Sequence, residues 1–513
     1  MYYSDPVTKL YQGDCRNMAD LPDESVHCVV SSPPYWGLRS YKGLPDMVWG
    51  DDTCRHEWGD TIKRERVGWE STPEGQKQYK SAESEAYKSQ SQFCLKCNAW
   101  RGQLGQEPTP ELYIQHIVSV FQEVKRVLRS DGVCFVNIGD SYSAVRWSDA
   151  KGTGSWASNR IQDANPVIQK NTGLPVGNKC LIPFRLALAL QNDGWICRQD
   201  IIWQKNNPMP ESVSSPRWVK HKVKVRQGLT KGNRRGIRPD GVVLSGIQSD
   251  NPETSAQWQD CPGCATCLPN DGLVLRHGSW RPTESHEFIL MLTKSNDYYA
   301  DGEAVREKQL PQSIARMTRN HLTDYDPGYP TQGPQNLHYG EKLSQEEAGN
   351  MSGRNLRSVW TFSTQSYAGA HYATFPEKLP ELCIKAGTPE YGVCAECGKP
   401  YARILERSKE DVHRRNYKSE YAREPLKEGK VSHLEENYRV ETQTLGWKKT
   451  CKCQTDKVVG ATVLDPFSGT ATTLAVAKRL GRQAVGYEMS EEYCSLSVKR
   501  LEQVTSPMRL VGG

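Results

Sequence analysis

Residues 458–488, VVGATVLDPFSGTATTLAVAKRLGRQAVGYE, contain the segment that decides the fold. An apolar run at 458–464 predicts a buried strand, and the Ala- and Leu-rich run at 472–480, ended by Gly481, predicts a helix. A second apolar run at 483–487 predicts another strand. A strand, a helix and a strand in this order predict two parallel strands joined by a crossover, the repeating unit of an α/β sheet with helices on both faces.

The same pattern extends through the rest of the chain. Further strands are predicted at residues 25–31, 133–138, 195–203 and 288–293, and helices at residues 110–129 and 182–192. In the first of these helices the apolar residues fall on one face, Glu111 lies in the first turn, and Asp131-Gly132 is the predicted stop. The alternation predicts an α/β fold with a Rossmann-like, mostly parallel, doubly wound sheet.

The loop inside the opening segment reads Asp465-Pro466-Phe467-Ser468-Gly469-Thr470-Ala471. A glycine in such a loop lets the backbone approach a ligand closely, and Glu488, at the end of the next strand, can accept hydrogen bonds from ribose hydroxyls. These residues predict a nucleoside-containing cofactor. The loop lacks the full G-x-G-x-x-G pattern of a dinucleotide site, and the alternative is an ordinary tight turn.

A second motif, Ser32-Pro33-Pro34-Tyr35, follows the predicted strand at 25–31. Two prolines fix the backbone and remove two N–H donors, so the turn presents carbonyl oxygens beside a hydroxyl and an aromatic ring. A planar base with an exocyclic amine matches both features, because the oxygens accept its hydrogens and the ring stacks on it. The alternative for two adjacent prolines alone is a plain loop.

Together the two motifs resemble those of the S-adenosylmethionine-dependent DNA amino-methyltransferases, whose β class carries the acceptor motif first and the cofactor loop near the C-terminus. The resemblance implies a methyltransferase fold and a catalytic motif of Ser32, Pro33, Pro34 and Tyr35. It also implies cofactor-binding residues at Asp14, Ser31, Thr374, Phe375, Pro376, Asp465, Phe467, Ser468, Gly469, Thr470, Glu488 and Met489. One departure is Ala471, where the family usually has glycine, and its methyl is expected to crowd the cofactor slightly.

The family's reaction is direct transfer of the sulfonium methyl group to an exocyclic amine of a base flipped out of the duplex. By resemblance, Ser32 Oγ and the Pro33 carbonyl would accept the amine hydrogens, and Tyr35 would stack on the base. Within the family a Ser-Pro-Pro-Tyr motif favours N4 of cytosine, with N6 of adenine as the alternative. Methylation of RNA or of a protein amide is a further alternative, since related motifs occur there.

Composition excludes several classes of protein. The chain has 513 residues, 37% hydrophobic and 25% charged, and a mean hydropathy of −0.69, which is typical of a soluble multi-domain protein. No apolar stretch approaches the roughly 20 residues of a membrane span. The N-terminus, with Asp5 and no apolar core, does not match a signal peptide. We therefore expect a cytoplasmic protein with no membrane partner, and the resemblance to DNA methyltransferases implies that it is bacterial or phage-encoded and nucleoid-associated.

In such a compartment the 17 cysteines indicate metal sites rather than disulfides. Two sets have the spacing of four-ligand zinc sites. They are Cys54, His56, Cys94 and Cys97, and Cys394, Cys397, Cys451 and Cys453. Cys261, Cys264 and Cys267 form a third set without an evident fourth ligand, and His277 is the nearest candidate. Zinc would be structural in these sites, because methyl transfer from a sulfonium requires no Lewis acid.

The cysteine sets lie in segments that interrupt the α/β pattern. The predicted catalytic domain is discontinuous, at residues 1–49, 105–213, 281–390 and 458–513, with zinc-binding insertions at 50–104 and 391–457 and a basic insertion at 214–280. Although the net charge is only +6, this last insertion carries nine Lys or Arg and no acid between residues 217 and 238. This basic strip consists of Arg217, Lys220, Lys222, Lys224, Arg226, Lys231, Arg234, Arg235 and Arg238.

The basic strip predicts a phosphate-binding surface for double-stranded DNA and makes residues 214–280 the candidate for target recognition, with residues 391–457 as the second candidate. The alternative is a solvated loop that happens to be basic. A cognate restriction endonuclease is a candidate partner. A rival function from another class is a non-catalytic zinc-finger DNA-binding protein with a relict methyltransferase fold, and the intact acceptor and cofactor motifs argue against it.

Overall fold

The computed structural model describes two compact units, one formed by residues 1–206 and 286–513 and the other by residues 207–285. Described are residues 1–37, 44–51, 53–58, 93–143, 174–175, 177–208, 215–226, 256–278, 280–307, 353–365, 375–411 and 438–507, with the backbone of four short strands between residues 62 and 89. Among the described helices, none has the length and apolar character that a membrane span requires.

The larger unit is built on a nine-stranded sheet. Its strands are β1 (Tyr3–Ser4), β2 (Thr8–Gln12), β3 (Val26–Ser31), β4 (Leu128–Ile138), β5 (Ile196–Gln204), β6 (His286–Thr293), β7 (Val359–Thr361), β8 (Thr462–Asp465) and β9 (Gln483–Glu488). The order across the sheet is β1-β2-β9-β8-β3-β4-β6-β5-β7. Of these nine strands only β1 and β6 run antiparallel to the others, so the sheet is mixed but mostly parallel.

Helices cover both faces of this sheet. They are α1 (Pro110–Val127), α2 (Ile182–Asn192), α3 (Lys378–Gly387), α4 (Thr472–Arg479) and α5 (Glu491–Glu502). On one face α1 and α2 share a core with Val29 and Val136, and on the other α3, α4 and α5 share a core with Val30 and Phe135. Successive strand residues point to opposite faces, so both faces of the central strands are apolar. The predicted α/β fold with a mostly parallel sheet covered on both faces is confirmed.

Helix α1 begins where the sequence predicts and ends two residues earlier. The Thr109 side chain caps it by accepting a hydrogen bond from a first-turn amide. The predicted stop at Asp131-Gly132 is wrong, because both residues lie inside β4, where the register with β3 shifts between Leu128 and Val133. Leu128 is fully buried and pairs with Val26, so strand pairing begins directly at the end of the helix.

The opening segment folds as predicted except at its start. Residues 458–464 form two strands rather than one, since Val458–Val459 pairs with Val393–Cys394 outside the main sheet and β8 begins only at Thr462. Gly460 lies between them. A Cβ at Gly460 would lie 2.7 Å from the Gly481 carbonyl oxygen, so a close approach of two chain segments interrupts the apolar run.

Smaller antiparallel pairs complete the two units. In the larger unit they join Met47–Trp49 with Trp100–Gly102, Ile62–Lys63 with Lys88–Ser89, Arg66–Ser71 with Lys77–Ala82, Val393–Cys394 with Val458–Val459, and Tyr401–Asp411 with Tyr438–Lys449. In the smaller unit they join Arg217–Lys220 with Leu273–Arg276 and Lys222–Arg226 with Ala256–Asp260. Short 3-10 helices lie at Leu268–Asn270 and Glu303–Val305.

The chain leaves β3 and β8, which are neighbours, in opposite directions. β3 connects through α1 to β4 on one side, whereas β8 connects through α4 to β9 on the other side and the other face. Diverging connections of this kind leave a crevice at the carboxyl ends of the strands, where open α/β sheets bind their ligands. The two sequence motifs follow these two strands, so the fold brings them together.

Candidate active site

The carboxyl ends of β3 and β8 are joined by a side-chain hydrogen bond. Ser31 Oγ donates to Asp465 Oδ1 over 2.6 Å, and the Phe467 amide donates to the same oxygen over 3.1 Å. Both Ser31 and Asp465 are buried. Burial raises the pKa of Asp465 to about 6, against the effect of the hydrogen bonds it accepts. This contact fixes the acceptor motif and the cofactor loop relative to each other.

A cleft of about 810 Å³, counted to its open mouth, lies beside this contact. Its lining comes from the residues that follow β2, β3, β8 and β9, with further side chains from residues 44–49 and 103–104. The lining includes Asp14, Ser32, Pro34, Phe467, Gly469, Tyr487, Glu488 and Met489. The cleft therefore combines Ser32 and Pro34 of the acceptor motif with the loop predicted to bind a cofactor, whereas Pro33 and Tyr35 do not line it.

Glu488 closes one side of the cleft and holds the loop in place. Its Oε2 accepts a 2.9 Å hydrogen bond from the Gly469 amide, and its Oε1 accepts one of 2.8 Å from the Ser490 amide. Burial raises the pKa of Glu488 to about 7. A carboxylate has about four lone-pair positions, and the amides of Gly469, Ser490 and Met489 do not fill all of them, so Glu488 can accept a further donor such as a ribose hydroxyl.

Other polar groups of the cleft are arranged as a nucleoside ligand requires. Asp14 accepts hydrogen bonds from the Arg16 amide over 2.9 Å and from its guanidinium over 2.8 Å, which fix the carboxylate at the rim. Tyr487 stacks on Tyr11 with ring centroids 5.0 Å apart. Among the described residues the buried Tyr487 hydroxyl has no hydrogen-bond partner. Asp14 and Glu488, which line the same cleft, offer carboxylate oxygens that can accept hydrogen bonds from an adenine amine and from ribose hydroxyls, so the site fits a nucleoside cofactor.

The predicted cofactor residues do not all reach the cleft. Asp14, Phe467, Gly469, Glu488 and Met489 line it. Ser31, Asp465, Ser468 and Thr470 are buried beside it, and Phe375 and Pro376 precede α3 without lining it. Thr374 lies outside the described residues. Five of the predicted residues therefore border the cleft, whereas the four buried ones belong to the structure that supports it.

Ala471 has a different consequence from the one expected. Its methyl does not line the cleft but lies fully buried in the core with Leu474 and Ala475. Its φ of +58° is in the left-handed region, which costs an alanine about 1–2 kcal/mol that a glycine does not pay. The expectation of crowding at the cofactor is therefore wrong, and a glycine at this position would relieve the strain of the backbone.

The Ser-Pro-Pro-Tyr turn is clamped by neighbouring groups. Tyr113 on α1 donates a 2.8 Å hydrogen bond to the Pro34 carbonyl, and the buried Trp36 donates one of 2.9 Å to the Glu107 carbonyl. Gly105 has a φ of +88°, and a Cβ there would meet the Tyr35 carbonyl oxygen at 3.1 Å. These contacts leave Ser32 on the cleft with its hydroxyl 3.3 Å from the Tyr35 hydroxyl, to which it donates.

The Tyr35 side chain lies in a polar cluster next to the cleft. Its hydroxyl donates a 2.6 Å hydrogen bond to Glu287 Oε2 and accepts one of 2.7 Å from Asn137 Nδ2. Lys205 donates to the other Glu287 oxygen over 2.5 Å. Burial and the nearby Glu287 carboxylate raise the pKa of Tyr35 well above its ordinary value, so the hydroxyl stays a donor. One ring edge rests on Gly139, where a Cβ would approach the ring to 2.7 Å.

Sequence reasoning missed Glu287, Asn137 and Lys205. The available signal was weak: Glu287 is an acid directly before the apolar run 288–293, and Asn137 is an amide inside the apolar run 133–138. A polar residue within or beside a buried strand usually has a partner that compensates its burial. The partner here is Tyr35, and only the fold brings it near.

Within the part of the chain that the structure describes, three groups of cysteine and histidine each bring four potential ligand atoms to within 4.8 Å of one another. Two are the predicted sets, Cys54, His56, Cys94 and Cys97, and Cys394, Cys397, Cys451 and Cys453. In the first, Cys97 Sγ lies 3.5 Å from His56 Nδ1. Although desolvation opposes ionisation, the backbone amides of Cys97, Glu57 and Lys96 lower the pKa of Cys94 to about 5. Both sets have the donor chemistry of a zinc site.

The third group corrects the predicted ligand set. His221, not His277, lies with Cys261, Cys264 and Cys267. Its Nδ1 is 3.4 Å from Cys264 Sγ, whereas His277 is exposed one residue beyond the strand Leu273–Arg276. Proximity in sequence favoured His277, but the pairing of Arg217–Lys220 with Leu273–Arg276 brings His221 to the thiols.

The basic strip is only partly described. The side chains of Arg217, Lys220 and Lys222 are exposed. Lys224 and Arg226 lie on the strand Lys222–Arg226, of which the backbone is described. The predicted DNA-binding residues Lys231, Arg234, Arg235 and Arg238 lie outside the described residues.

The diverging parallel strands, the cleft at their ends and the acceptor turn on its rim define an α/β amino-methyltransferase. The chain belongs to the N6_N4_Mtase family of DNA methylases, whose model matches residues 26–396 and 448–499. It is 26% identical over 498 residues to the type II methyltransferase M.Cfr9I of Citrobacter freundii, covering 96% of this chain and 87% of the relative. It is 24% identical over 496 residues to M.SmaI of Serratia marcescens, covering 96% and 90%.

Solved structures with a similar arrangement include the PvuII DNA methyltransferase (cytosine-N4-specific). That likeness has a TM-score of 0.40 and 13% sequence identity and covers 97% of this chain and 88% of the other. A putative DNA modification methylase of Thermus thermophilus, solved with S-adenosyl-L-methionine, has a TM-score of 0.36 and 15% identity and covers 97% and 95%.

Proposed function

We propose that the protein transfers a methyl group from S-adenosylmethionine to the exocyclic amine of a flipped base in duplex DNA, with N4 of cytosine preferred. The observation that carries this proposal is the position of Ser32 on the same cleft as Gly469 and Glu488. The acceptor residue and the acid proposed to bind ribose then line one open cleft. The relatives named as type II methyltransferases support DNA as the substrate and a cognate restriction endonuclease as partner.

The cofactor side of the cleft follows from its lining. Glu488 would accept the ribose hydroxyls with the lone pairs left free by Gly469 and Ser490. Asp14 would accept from the adenine amine, and the Phe467 ring would pack on the base. Bound S-adenosylmethionine supplies an electrophilic methyl group on a sulfonium. Asp465 would act through Ser31 and the loop backbone, because it is buried away from the cleft.

The acceptor side acts by position rather than by strong base catalysis. Ser32 Oγ and the Pro33 carbonyl would accept the two amine hydrogens, which directs the nitrogen lone pair at the methyl group. Tyr35 would stack on the flipped base, with its ring held by Gly139 and its hydroxyl by Glu287. The proton leaves the methylated amine for solvent after transfer, since the alkylated nitrogen is acidic.

Base identity rests on the acceptor residue. Serine is a neutral and weaker acceptor than aspartate, and within the family that the motif resembles a Ser-Pro-Pro-Tyr sequence favours N4 of cytosine, which supports N4 methylation. The basic strip supports contact with duplex DNA, because Arg217, Lys220 and Lys222 offer exposed cations for phosphates. N6 methylation of adenine, and RNA or protein substrates, are outcomes that the experiment below distinguishes.

We further propose structural zinc in the two four-ligand sets of the larger unit. With Zn–S of about 2.3 Å and Zn–N of about 2.0–2.1 Å, a tetrahedral site separates sulfur from nitrogen by about 3.6 Å. The 3.5 Å between Cys97 Sγ and His56 Nδ1 matches that edge. In the other set, the Cys394 amide donates a hydrogen bond to the Lys399 carbonyl over 2.9 Å. This bond folds residues 394–399 into a turn that carries both Cys394 and Cys397. Four protein ligands leave no open position for catalysis.

A methylation assay tests the proposal. The purified protein is incubated with methyl-labelled S-adenosylmethionine and, in parallel, with duplex DNA, RNA and a protein mixture, and digested DNA is analysed for N4-methylcytosine and N6-methyladenine. Label in N4-methylcytosine of DNA is expected, together with loss of transfer by about a hundredfold or more in Ser32→Ala at unchanged cofactor affinity. Label in N6-methyladenine, RNA or protein overturns the proposed base or substrate, and full turnover by Ser32→Ala overturns the acceptor site.

A further inference from the structure

The unit at 207–285 contains two antiparallel pairs connected in a particular way. His221 lies between their inner strands, Arg217–Lys220 and Lys222–Arg226. Residues 261–272 lie between the outer strands, Ala256–Asp260 and Leu273–Arg276, and carry the three cysteines. The chain thus passes from one strand pair to the other twice, once at His221 and once through residues 261–272, and both connections lie between the same two pairs.

Backbone hydrogen bonds hold these two connections together. The His221 amide donates to the Gly272 carbonyl over 2.9 Å, and the Cys261 amide donates to the His221 carbonyl over 2.8 Å. The Leu268 amide donates to the Cys264 carbonyl over 2.9 Å, and the Gly272 amide to the Cys267 carbonyl over 3.0 Å. His221 is therefore fixed against the cysteine-bearing loop at its backbone as well as at its side chain.

The distances between ligand atoms match a tetrahedral zinc site. Zn–S bonds of about 2.3 Å and Zn–N bonds of about 2.0–2.1 Å place two sulfurs about 3.8 Å apart and a sulfur and a nitrogen about 3.6 Å apart. Here Cys264 Sγ lies 3.7 Å from Cys267 Sγ and 3.4 Å from His221 Nδ1. The sulfur separation excludes a disulfide, whose S–S bond is about 2.0 Å.

The unit also lacks the apolar core that would fold it without a metal. Among its described residues Cys267 is the only one that is both apolar and fully buried, whereas Trp218, Trp258 and Trp280 are 52%, 41% and 66% exposed. Small units with too little apolar burial usually fold around a metal or disulfides. A bound ion would supply the missing free energy, because a structural zinc site forms only in the folded state.

We propose that His221, Cys261, Cys264 and Cys267 bind a structural zinc ion that folds this unit and thereby sets its DNA-binding face. Alternation along the strands puts Trp218 and Lys220 on one face of the first pair, and Lys222 and Trp258 on one face of the second. Exposed cations beside exposed indoles match phosphates and bases. The DNA part of this inference rests on the proposed function, whereas the metal part does not.

Metal analysis of the full-length protein tests the ligand set. Wild type is expected to contain three zinc ions per chain, and His221→Ala two, as measured by elemental analysis and native mass spectrometry. His277→Ala, the matched control, is expected to keep three, and His221→Cys also three, because a fourth thiolate restores the site. Three ions in His221→Ala, or two in His277→Ala, would overturn the assignment.

Binding measurements on the same variants test the consequence for DNA. His221→Ala is expected to bind duplex DNA about tenfold or more weakly, with unchanged affinity for S-adenosylmethionine, and His221→Cys is expected to recover DNA binding. Wild-type DNA affinity in a His221→Ala protein that has lost its ion would refute the role of the metal in DNA binding. If the wild-type chain methylated no DNA, the zinc count would still decide the metal site, so the two proposals fail separately.

Discussion

The Tyr35 hydroxyl donates a 2.6 Å hydrogen bond to Glu287 Oε2 across 252 residues of sequence. Lys205, 2.5 Å from the other Glu287 oxygen, compensates the charge of that carboxylate, and Asn137 donates to both Tyr35 and Glu287. Charge-assisted hydrogen bonds of this length are stronger than neutral ones. The acceptor aromatic ring is thus oriented by residues on three other strands or strand ends, and its geometry depends on them.

Removing Glu287 should lower turnover without affecting cofactor binding. In Glu287→Ala the Tyr35 hydroxyl loses its acceptor and Lys205 its counter-charge, so we expect kcat to fall about tenfold or more, because small errors in orientation are costly. Affinity for S-adenosylmethionine, measured by calorimetry, should stay within about twofold. Glu111→Ala removes an exposed acid of α1 and serves as the control. Equal kcat in wild type and Glu287→Ala would show that the cluster does not position Tyr35.

Gly139 contacts one edge of the Tyr35 ring, and a methyl group added at this position should displace the ring. A Cβ at this position would lie 2.7 and 2.9 Å from Tyr35 Cε2 and Cδ2. We expect Gly139→Ala to reduce kcat by about tenfold to a hundredfold, together with a loss of about 1–3 kcal/mol of stability from the overpacked contact. Gly302→Ala is the matched control, since a Cβ there meets nothing within 4 Å. Steady-state kinetics and thermal melts on both variants measure these effects. An unaltered kcat in Gly139→Ala would argue against a fixed position of the Tyr35 ring.

Cofactor affinity should depend on pH through Glu488, whose pKa burial raises to about 7. The ionised carboxylate accepts ribose hydroxyls better than the protonated acid, so affinity should rise as pH increases through about 7. Calorimetric titrations from about pH 6 to about pH 8 measure the slope. Glu488→Gln, which is neutral throughout, should bind more weakly and lose the slope. A wild-type affinity independent of pH would contradict the proposed contact.

As pH rises, the wild-type protein should lose stability relative to a variant in which Asp465 is replaced by a neutral residue. Its pKa is raised by burial from an ordinary 3.8 to about 6 in the folded protein. Its favourable contribution is therefore complete below the unfolded value and is lost as pH rises through about 6. Compared with wild type, Asp465→Asn should gain stability progressively between about pH 4 and about pH 6. Chemical denaturation across that range measures the difference, and a constant difference would mean that Asp465 is already ionised.

Much of the fold follows from local pattern. The strands β3, β6, β8 and β9 and the helices α1, α2 and α4 are visible as apolar runs or one-sided apolar faces, because a sheet covered on both sides needs strands that are apolar throughout. The break at Gly460 and the strand start at Leu128 were not predictable, since both arise from contacts with distant segments. The long pair Tyr401–Asp411 with Tyr438–Lys449 is polar and gave no periodic signal.

The sequence by itself determined the α/β class, the acceptor turn, the cofactor loop and the two complete cysteine sets, because each is specified by residue types at short spacing. Tertiary structure decided which of the predicted cofactor residues reach the cleft, that Ala471 strains the backbone rather than the ligand, and that His221 rather than His277 lies with the third set. It also brought Glu287 within hydrogen-bond distance of Tyr35. The physical reason is the same in each case: strand pairing and packing bring residues far apart in sequence within hydrogen-bond or ligand distance, and no local pattern contains that information.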